Sequence, residues 1–440
     1  MGEKGDYPGL FELYERDPDK ADRLLFGRET CSDRRGFLKN AGLAAMGAMV
    51  GSIIPFHRNI PAHFIPSVIA GERVIRGKDG LVVINERPLN AETPAHLLDD
   101  AITPTDRHFI RNNGVPPGNT DAAGWMLNID GLVDRRMMLG IDDLKRKFDV
   151  VTRALVLECG GNGRAFFDPP AQGDPWTYGA VGCSEWTGVR LADVLKAAGV
   201  KANVVYTAHE GADTHLSGKP GKLPLSRGVP IAKAMDEHNL IAFAQNGKPI
   251  HTMNGAPLRL IVPGWPGSCS QKWLTRIRLR DRVHDGPKMT GTSYRVPNRP
   301  IARGEKVDEK DFDIIHSMPV KSLITSPADG HRTDGKSLAV RGHAWAGDRR
   351  VDSVHLSIDF GATWMKAKLD EPVNAFAWQN WRARVTFPQA GYYEVWARAT
   401  DSHGVSQPHA IAWNPRGYLN NSMHRVAVTV EGGETEEVRR

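Results

Sequence analysis

Two fold classes follow one another along these 440 residues, an α+β half and then an all-β half. Three observations predict that order. From Gly71 to about Val320, short apolar runs are separated by Gly- and Pro-rich loops, with few helical stretches and no regular alternation of strand and helix. This is an α+β pattern and not a doubly wound one. Beyond about Pro319 the apolar period becomes two: Val354, Leu356, Ile358 and Phe360 alternate with Ser353, His355, Ser357 and Asp359, and Val426, Val428 and Val430 repeat the pattern. Such alternation marks antiparallel strands with one buried face. Between the halves, the charged, proline-containing stretch from Asn298 to about Pro319 reads as a linker.

Within the first half, Leu155-Val156-Leu157 and Arg259-Leu260-Ile261-Val262-Pro263 read as buried strands that end in loops. Leu191, Val194, Leu195 and Ala198 fall at i, i+3, i+4 and i+7, and Gly199 follows as a stop, which predicts an amphipathic helix there. In the second half, Asp359-Phe360-Gly361 and Asp401-Ser402-His403-Gly404 supply turns, at a spacing that suits an immunoglobulin-like sandwich. The expected organisation is therefore a leader over 1–70, an α+β domain over 71–317 and a sandwich over 318–440.

The leader has its own logic. Asp33-Arg34-Arg35-Gly36-Phe37-Leu38-Lys39 precedes a weakly apolar segment from Ala41 to Phe56, shorter than the roughly 20 residues of a membrane span. Val68-Ile69-Ala70 then offers a cleavage site, so the mature chain is expected to begin near Gly71. Paired arginines ahead of Phe-Leu-Lys look like a twin-arginine signal, which exports proteins already folded and loaded with a cofactor. The expected location is the periplasm.

Composition excludes several classes. With 57 basic against 51 acidic residues the net charge is +6, without Lys/Arg runs or interleaved aromatics, so no nucleic-acid groove is expected. Cys31, Cys159, Cys183 and Cys269 stand singly, with no C-x-x-C pair. That excludes a zinc knuckle and an iron–sulfur cluster, and the missing C-x-x-C-H excludes covalently attached haem. Electron transfer by this chain would need a non-covalent cofactor and an external partner. Cys183 and Cys269 read as core or loop cysteines, with nothing to support a disulfide between them.

The chemistry centres on Cys159, in Glu158-Cys159-Gly160-Gly161-Asn162-Gly163-Arg164. A lone cysteine after an apolar strand is usually a buried thiol. Here the glycines at 160, 161 and 163 predict a backbone that approaches a large group closely. A thiolate is a soft metal ligand, and Arg164 is placed to hold an anion. Arg111 in Phe109-Ile110-Arg111-Asn112-Asn113, Arg259 before a strand, and Arg416 in Trp413-Asn414-Pro415-Arg416-Gly417 are unremarked alone, but together they would form a cationic pocket for an oxyanion.

These stretches, with Ile102-Thr103-Pro104, Trp176-Thr177-Tyr178-Gly179-Ala180, Glu185-Trp186-Thr187-Gly188-Val189 and Lys272-Trp273-Leu274, resemble the sulfite oxidase family along nearly the whole chain after residue 70. The resemblance implies a sulfite-oxidase-like molybdopterin domain, an immunoglobulin-like dimerisation domain, and a molybdenum–molybdopterin cofactor. It implies that Cys159 ligates molybdenum, that Arg111, Arg164 and Arg416 bind the substrate anion, that Trp176 walls the pocket, and that Tyr294 is its active-site tyrosine. Phe109, Asn112, Asn113, Asp213, Asn254, Arg259, Ser270, Gln271 and Lys272 fall where the family holds the pterin and its phosphate. Asn113 and Asn254 depart from the pattern, standing where many members carry histidine.

Two stretches carry a finer resemblance: Asp106-Arg107-His108-Phe109-Ile110-Arg111-Asn112-Asn113, and Leu89-Asn90-Ala91-Glu92-Thr93-Pro94-Ala95-His96-Leu97-Leu98. Both look like the molybdenum subunit of sulfane dehydrogenases in the bacterial Sox system. That implies oxidation of sulfane sulfur held on a carrier protein's cysteine, with a dihaem c-type cytochrome as electron acceptor. The expected assembly is a homodimer, or a heterotetramer with the cytochrome. Two other readings stand beside it: a sulfite dehydrogenase acting on the free oxyanion, and an exported binding or assembly protein without chemistry.

Overall fold

The strand predicted around Leu155 forms one edge of the first domain's main sheet in the computed structural model, which describes residues 75–431. Val150–Glu158 pairs antiparallel with Val181–Arg190, which pairs with Leu240–Gln245, which pairs with Arg259–Ile261. Its last five residues are all buried, so the strand delivers Cys159 directly from the core into a loop. A second sheet orders Met137–Gly140, Met126–Gly131, Leu274–Arg280 and Tyr206–Gly211, with one parallel pair, Met126–Gly131 on Leu274–Arg280. Leu127, Ile129, Ile277 and Leu279 of this second sheet share one core cluster with Val189, Ile241 and Leu260 of the first.

The predicted helix spans Leu191–Ala198 and buries Leu191, Val194, Leu195 and Ala198 against that same cluster. Each large apolar side chain withdrawn from water there contributes about 1.5–3 kcal/mol. Gly199 ends it at φ +75°, and a Cβ at this position would lie 2.5 Å from the Asp134 carboxylate. Only glycine meets both conditions without strain. With short helices at Ile141–Lys147 and Ile231–Ala234, the first domain is α+β as predicted.

The second half is a two-sheet sandwich. One sheet orders Lys321–Ser326, Ser337–Trp345, Gln379–Thr386 and Lys368–Leu369; the other orders His331–Thr333, His424–Val430, Gly391–Asp401, Val351–Ser357 and Met365–Lys366. Ile324, Val340, Trp381 and Val385 from one meet Val354, Leu356, Val395 and Val428 from the other in a single core. Among the described residues no helix is long and apolar enough to cross a membrane.

Two expectations need correction. The stretch read as a linker is docked: Phe312–Ile314 pairs antiparallel with Arg295–Pro297, and Ile315 donates its N–H to the Tyr294 carbonyl at 3.1 Å. Its charges hid a short apolar set, Phe312, Ile315 and Met318, all of which bury. The strand read through Ile358 and Phe360 stops at Ser357. Asp359 accepts hydrogen bonds from Ser357 and Thr363 in a side-chain-stabilised turn, which leaves Phe360 64 % exposed at φ +56°. Cys183 and Cys269 are both buried and both free. The twin-arginine motif and the cleavage site lie outside the described residues.

Buried histidines make the fold sensitive to acid. His209 and His424 are pushed down to about 3, and His108 well below the usual imidazole range; burial is the main cause in all three. Each is hydrogen-bonded, His108 with Ser184 Oγ (3.1 Å), His209 with Thr207 Oγ1 (2.8 Å), and His424 accepting from the Ile324 N–H (3.0 Å). Because the folded values lie below the unfolded one, their stabilisation is present above about pH 6.5 and is lost as pH falls towards the folded values. At pH 5 His209 and His424 should each cost about 2 kcal/mol, roughly 4 together, a large share of a typical domain stability, and His108 acts in the same direction. Denaturant unfolding at pH 7 and pH 5 should therefore show a sharply lower midpoint at pH 5, and an unchanged midpoint would refute it.

Candidate active site

Cys159 opens onto a pocket lined also by Phe109, Arg111, Asn113, Asp213, Asn254, Arg259, Ser270, Gln271, Lys272 and Tyr294. Eleven of the fifteen site residues named from the sequence thus meet in one place, counting Cys159. Six segments bring them there: the loop after Val150–Glu158, the segment 109–113, the segment from Asn254 into the strand Arg259–Ile261, the loop 267–273 ahead of Leu274–Arg280, Asp213 just past Tyr206–Gly211, and Tyr294 just ahead of Arg295–Pro297. A short 3-10 turn over Gly267–Cys269 carries Ser270 and Gln271 into the wall.

The remaining four stand behind or beside the wall. Asn112 is fully buried; its Oδ1 accepts from Lys272 Nζ, its carbonyl from Arg111, and its N–H donates to Asn90 Oδ1 at 2.6 Å, so it holds the two cations in place. Trp176 has no exposed surface and packs with Cys159 and Phe109 in one cluster. Arg164 folds back, donating to the carbonyls of Arg416 and Asp174, both at 2.8 Å, with its guanidinium 5.0 Å from the Tyr418 ring. Arg416 donates to Thr292 Oγ1 and Gln172 Oε1.

Two glycines of the loop are required by the protein's own packing. A Cβ on Gly161 would lie 2.2 Å from the Arg164 guanidinium, and one on Gly163, at φ +92°, would lie 2.8 Å from Asn420. At these two positions the glycines make room for the protein's own side chains, which lock the loop.

The cavity's electrostatics are one-sided. Arg111, Arg259 and Lys272 face one carboxylate, Asp213. Burial, helped by Arg259, holds Lys272 well below the ordinary lysine range, and burial alone pushes Arg259 down to about 9. Lys78 reaches in from outside the predicted set, donating to Asn254 Oδ1 and the His108 carbonyl (2.8 Å), and burial drives it down to about 7. Burial also raises Asp213 to about 6, against the pull of Lys272. Cations crowded this way are held at a cost that an anion would relieve.

Five buried atoms in the wall have no hydrogen-bond partner among the described residues: Arg111 Nε, Asp213 Oδ1, Arg259 Nε, Ser268 Oγ and Gln271 Oε1. Such groups normally find one. Among the described residues no cluster of three or more His, Cys, Asp or Glu side chains is placed to hold a metal, so the protein's own donor at the cavity is the Cys159 thiol. A pocket with unpartnered polar atoms, surplus positive charge and one soft donor fits an anionic organic cofactor that brings its own metal ligands.

Comparison with known proteins agrees. The family profile described as oxidoreductase molybdopterin binding domain matches residues 113–288, and that described as Mo-co oxidoreductase dimerisation domain matches residues 312–431. Sulfite oxidase from Gallus gallus is 32% identical over 359 residues, covering 79% of this chain and 77% of that protein. The chain belongs to the sulfite oxidase family. Its cofactor is accordingly molybdenum–molybdopterin. Human mitochondrial sulfite oxidase is 33% identical over 371 residues, covering 80% of this chain, which spans 66% of the human protein's length. In fold, this sulfite oxidase family chain is similar to the sulfane dehydrogenase SoxCD of Paracoccus pantotrophus, at 24% identity, a TM-score of 0.66, and coverage of 88% and 99% of the two chains.

Sequence reasoning missed Leu225, Gly267, Ser268 and Trp273 in the wall, and Lys78 behind it. Gly267, Ser268 and Trp273 adjoin the named run Ser270-Gln271-Lys272 and were within reach of it. Lys78 carried no signal, because its role depends on Asn254, 176 residues away.

Proposed function

We propose that this chain is a molybdenum-dependent dehydrogenase that oxidises sulfane sulfur held on a carrier protein's cysteine and passes electrons singly to a c-type, dihaem cytochrome in the periplasm. The observation that carries the reading is the Cys159 cavity, with a soft donor in its wall, three cations, and one carboxylate. When bound, the molybdenum cofactor supplies a centre that accepts two electrons from the substrate sulfur and releases them one at a time.

The chain's own residues would do the rest. Cys159 would hold the metal, while Arg259, Gln271 and Asp213, through their unpartnered atoms, together with Lys272 and Ser270 beside them, would hold the pterin and its phosphate. Arg111 would orient the anionic end of the substrate, and the Tyr294 hydroxyl, now 3.4 Å from Asn113 Oδ1, would be free to turn to a reacting oxygen. Trp176 and Phe109 exclude water behind the thiol.

Support for the sulfane substrate comes from the segment that bears the finer resemblance. Leu89–Glu92 frames the cavity from behind: Ala91 bridges to Ile110, the Leu89 carbonyl accepts from Asn112 Nδ2 at 2.9 Å, and Glu92 accepts from Thr177 and Gly179. The segments most like sulfane dehydrogenase subunits are therefore the ones that set Arg111, Asn112 and Asn113. A second reading, oxidation of free sulfite, is favoured by relatives at 32% and 33% identity that are themselves sulfite oxidases. Reduction of cytochrome c should be fast with carrier-bound persulfide and slow with free sulfite. Fast turnover of sulfite by this chain alone would overturn the first reading in favour of the second.

A further inference from the structure

Most cations around the cavity are already committed. Arg164 and Arg416 are held by carbonyls, Thr292 and Gln172, Arg259 donates to the Asn254 carbonyl at 2.7 Å, and Lys272 donates to Asn112 and to the Met253 carbonyl at 2.8 Å. Lys288 differs. Among the described residues its ammonium makes one hydrogen bond, at 2.8 Å to Oδ1 of Asn113 in the cavity wall. An ammonium carries three donors, so two are unspent. The Tyr294 hydroxyl donates to the same oxygen. Lys288 thus stands where the cavity meets the Arg416 side of the site.

The backbone holds it there deliberately. Lys288 sits at φ +68°, a left-handed conformation that costs a lysine about 1–2 kcal/mol. Its carbonyl accepts from Nη1 of Arg227 at 3.1 Å, and that fully buried guanidinium also lies 5.0 Å from the Tyr294 ring. One buried cation therefore positions both Lys288 and Tyr294.

We infer that Lys288 is a specificity-determining clamp for the anionic end of the sulfur substrate at the edge of the Cys159 cavity. The inference rests on reading the cavity as a sulfur-oxidising site. The groups that act on the ammonium are Arg111 and Arg416, both repulsive, and Asp174, attractive, with the exposed His215 loop alongside. Burial first, then Arg111, brings Lys288 down to about 8. Its charge, and with it anion binding, fades as pH rises through that value.

Calorimetric titration of the cofactor-loaded protein with sulfate tests this, because sulfate remains a dianion throughout. Parent protein should bind sulfate about tenfold more weakly at about pH 9.5 than at about pH 7. Lys288→Arg keeps its charge and should bind at both pH values with little change. Lys288→Met should bind about tenfold more weakly at pH 7, with no further loss at high pH, and should raise KM for the sulfur substrate far more than it lowers kcat. Sulfate binding by Lys288→Met equal to the parent at pH 7, or a pH-dependent Lys288→Arg, overturns the clamp while leaving the sulfur-oxidising reading intact. A parent that binds no sulfate and oxidises no sulfur compound overturns both.

Discussion

Cys159→Ser should reduce turnover by at least about a hundredfold while the protein still folds. The exchange replaces a soft donor by a hard one at the only described cysteine lining the cavity, and such a change alters metal affinity far more than volume. Burying the hydroxyl should cost about 1–3 kcal/mol, because residue 159 is 6 % exposed. The loop should survive, since its bonds run through the backbone: the Cys159 N–H donates to the Ala180 carbonyl at 2.9 Å, and its carbonyl accepts from the Asn162 N–H at 2.9 Å. Cytochrome reduction, molybdenum content and thermal unfolding of the purified variant check the three parts separately. Parent-like activity would refute the ligand assignment.

The second large effect concerns the residue before it. Glu158 is 2 % exposed, and its carboxylate accepts from Lys321 Nζ and Asn162 Nδ2 on one oxygen and from Trp345 Nε1, at 2.9 Å, on the other. Lys321 and Trp345 belong to the sandwich strands Lys321–Ser326 and Ser337–Trp345. Asn162 also accepts from the Ala180 N–H, so the sandwich clamps the Cys159 loop through one buried network. Lys321→Met would leave the carboxylate unpaired in the interior and should cost about 3–5 kcal/mol. Adding Glu158→Gln should recover much of that loss, because a neutral amide needs no counter-charge. Denaturant unfolding of the parent, both single variants and the double variant measures the coupling. A Lys321→Met protein as stable as the parent would show that the network does not brace the loop.

How much of this was legible in the sequence depends on the range of the interaction. The helix at Leu191–Ala198 and its stop at Gly199 were readable because periodicity and a left-handed stop are local properties. The strand before Cys159 was readable for the same reason. The turn at Asp359 defeated the alternation rule, since one side chain's hydrogen bonds outweighed the period-two pattern at a strand end. The docked stretch around Phe312 was misread because its few apolar residues are diluted by charges that face water.

At the site, the sequence by itself determined the chemical inventory: one lone cysteine in a glycine-rich loop, a set of arginines, and a lysine beside serine and glutamine. Family membership followed from that inventory and its order. Only the tertiary structure decided which cations face the cavity and which are spent on the protein. Arg164 and Arg416 are tied to carbonyls and to Thr292 and Gln172, while Lys288, with no sequence signal, keeps two donors. The physical reason is that a cation's role is set by the acceptors within about 3 Å of it. For Glu158 and Lys321 those partners lie 163 residues apart, a distance that local pattern does not encode.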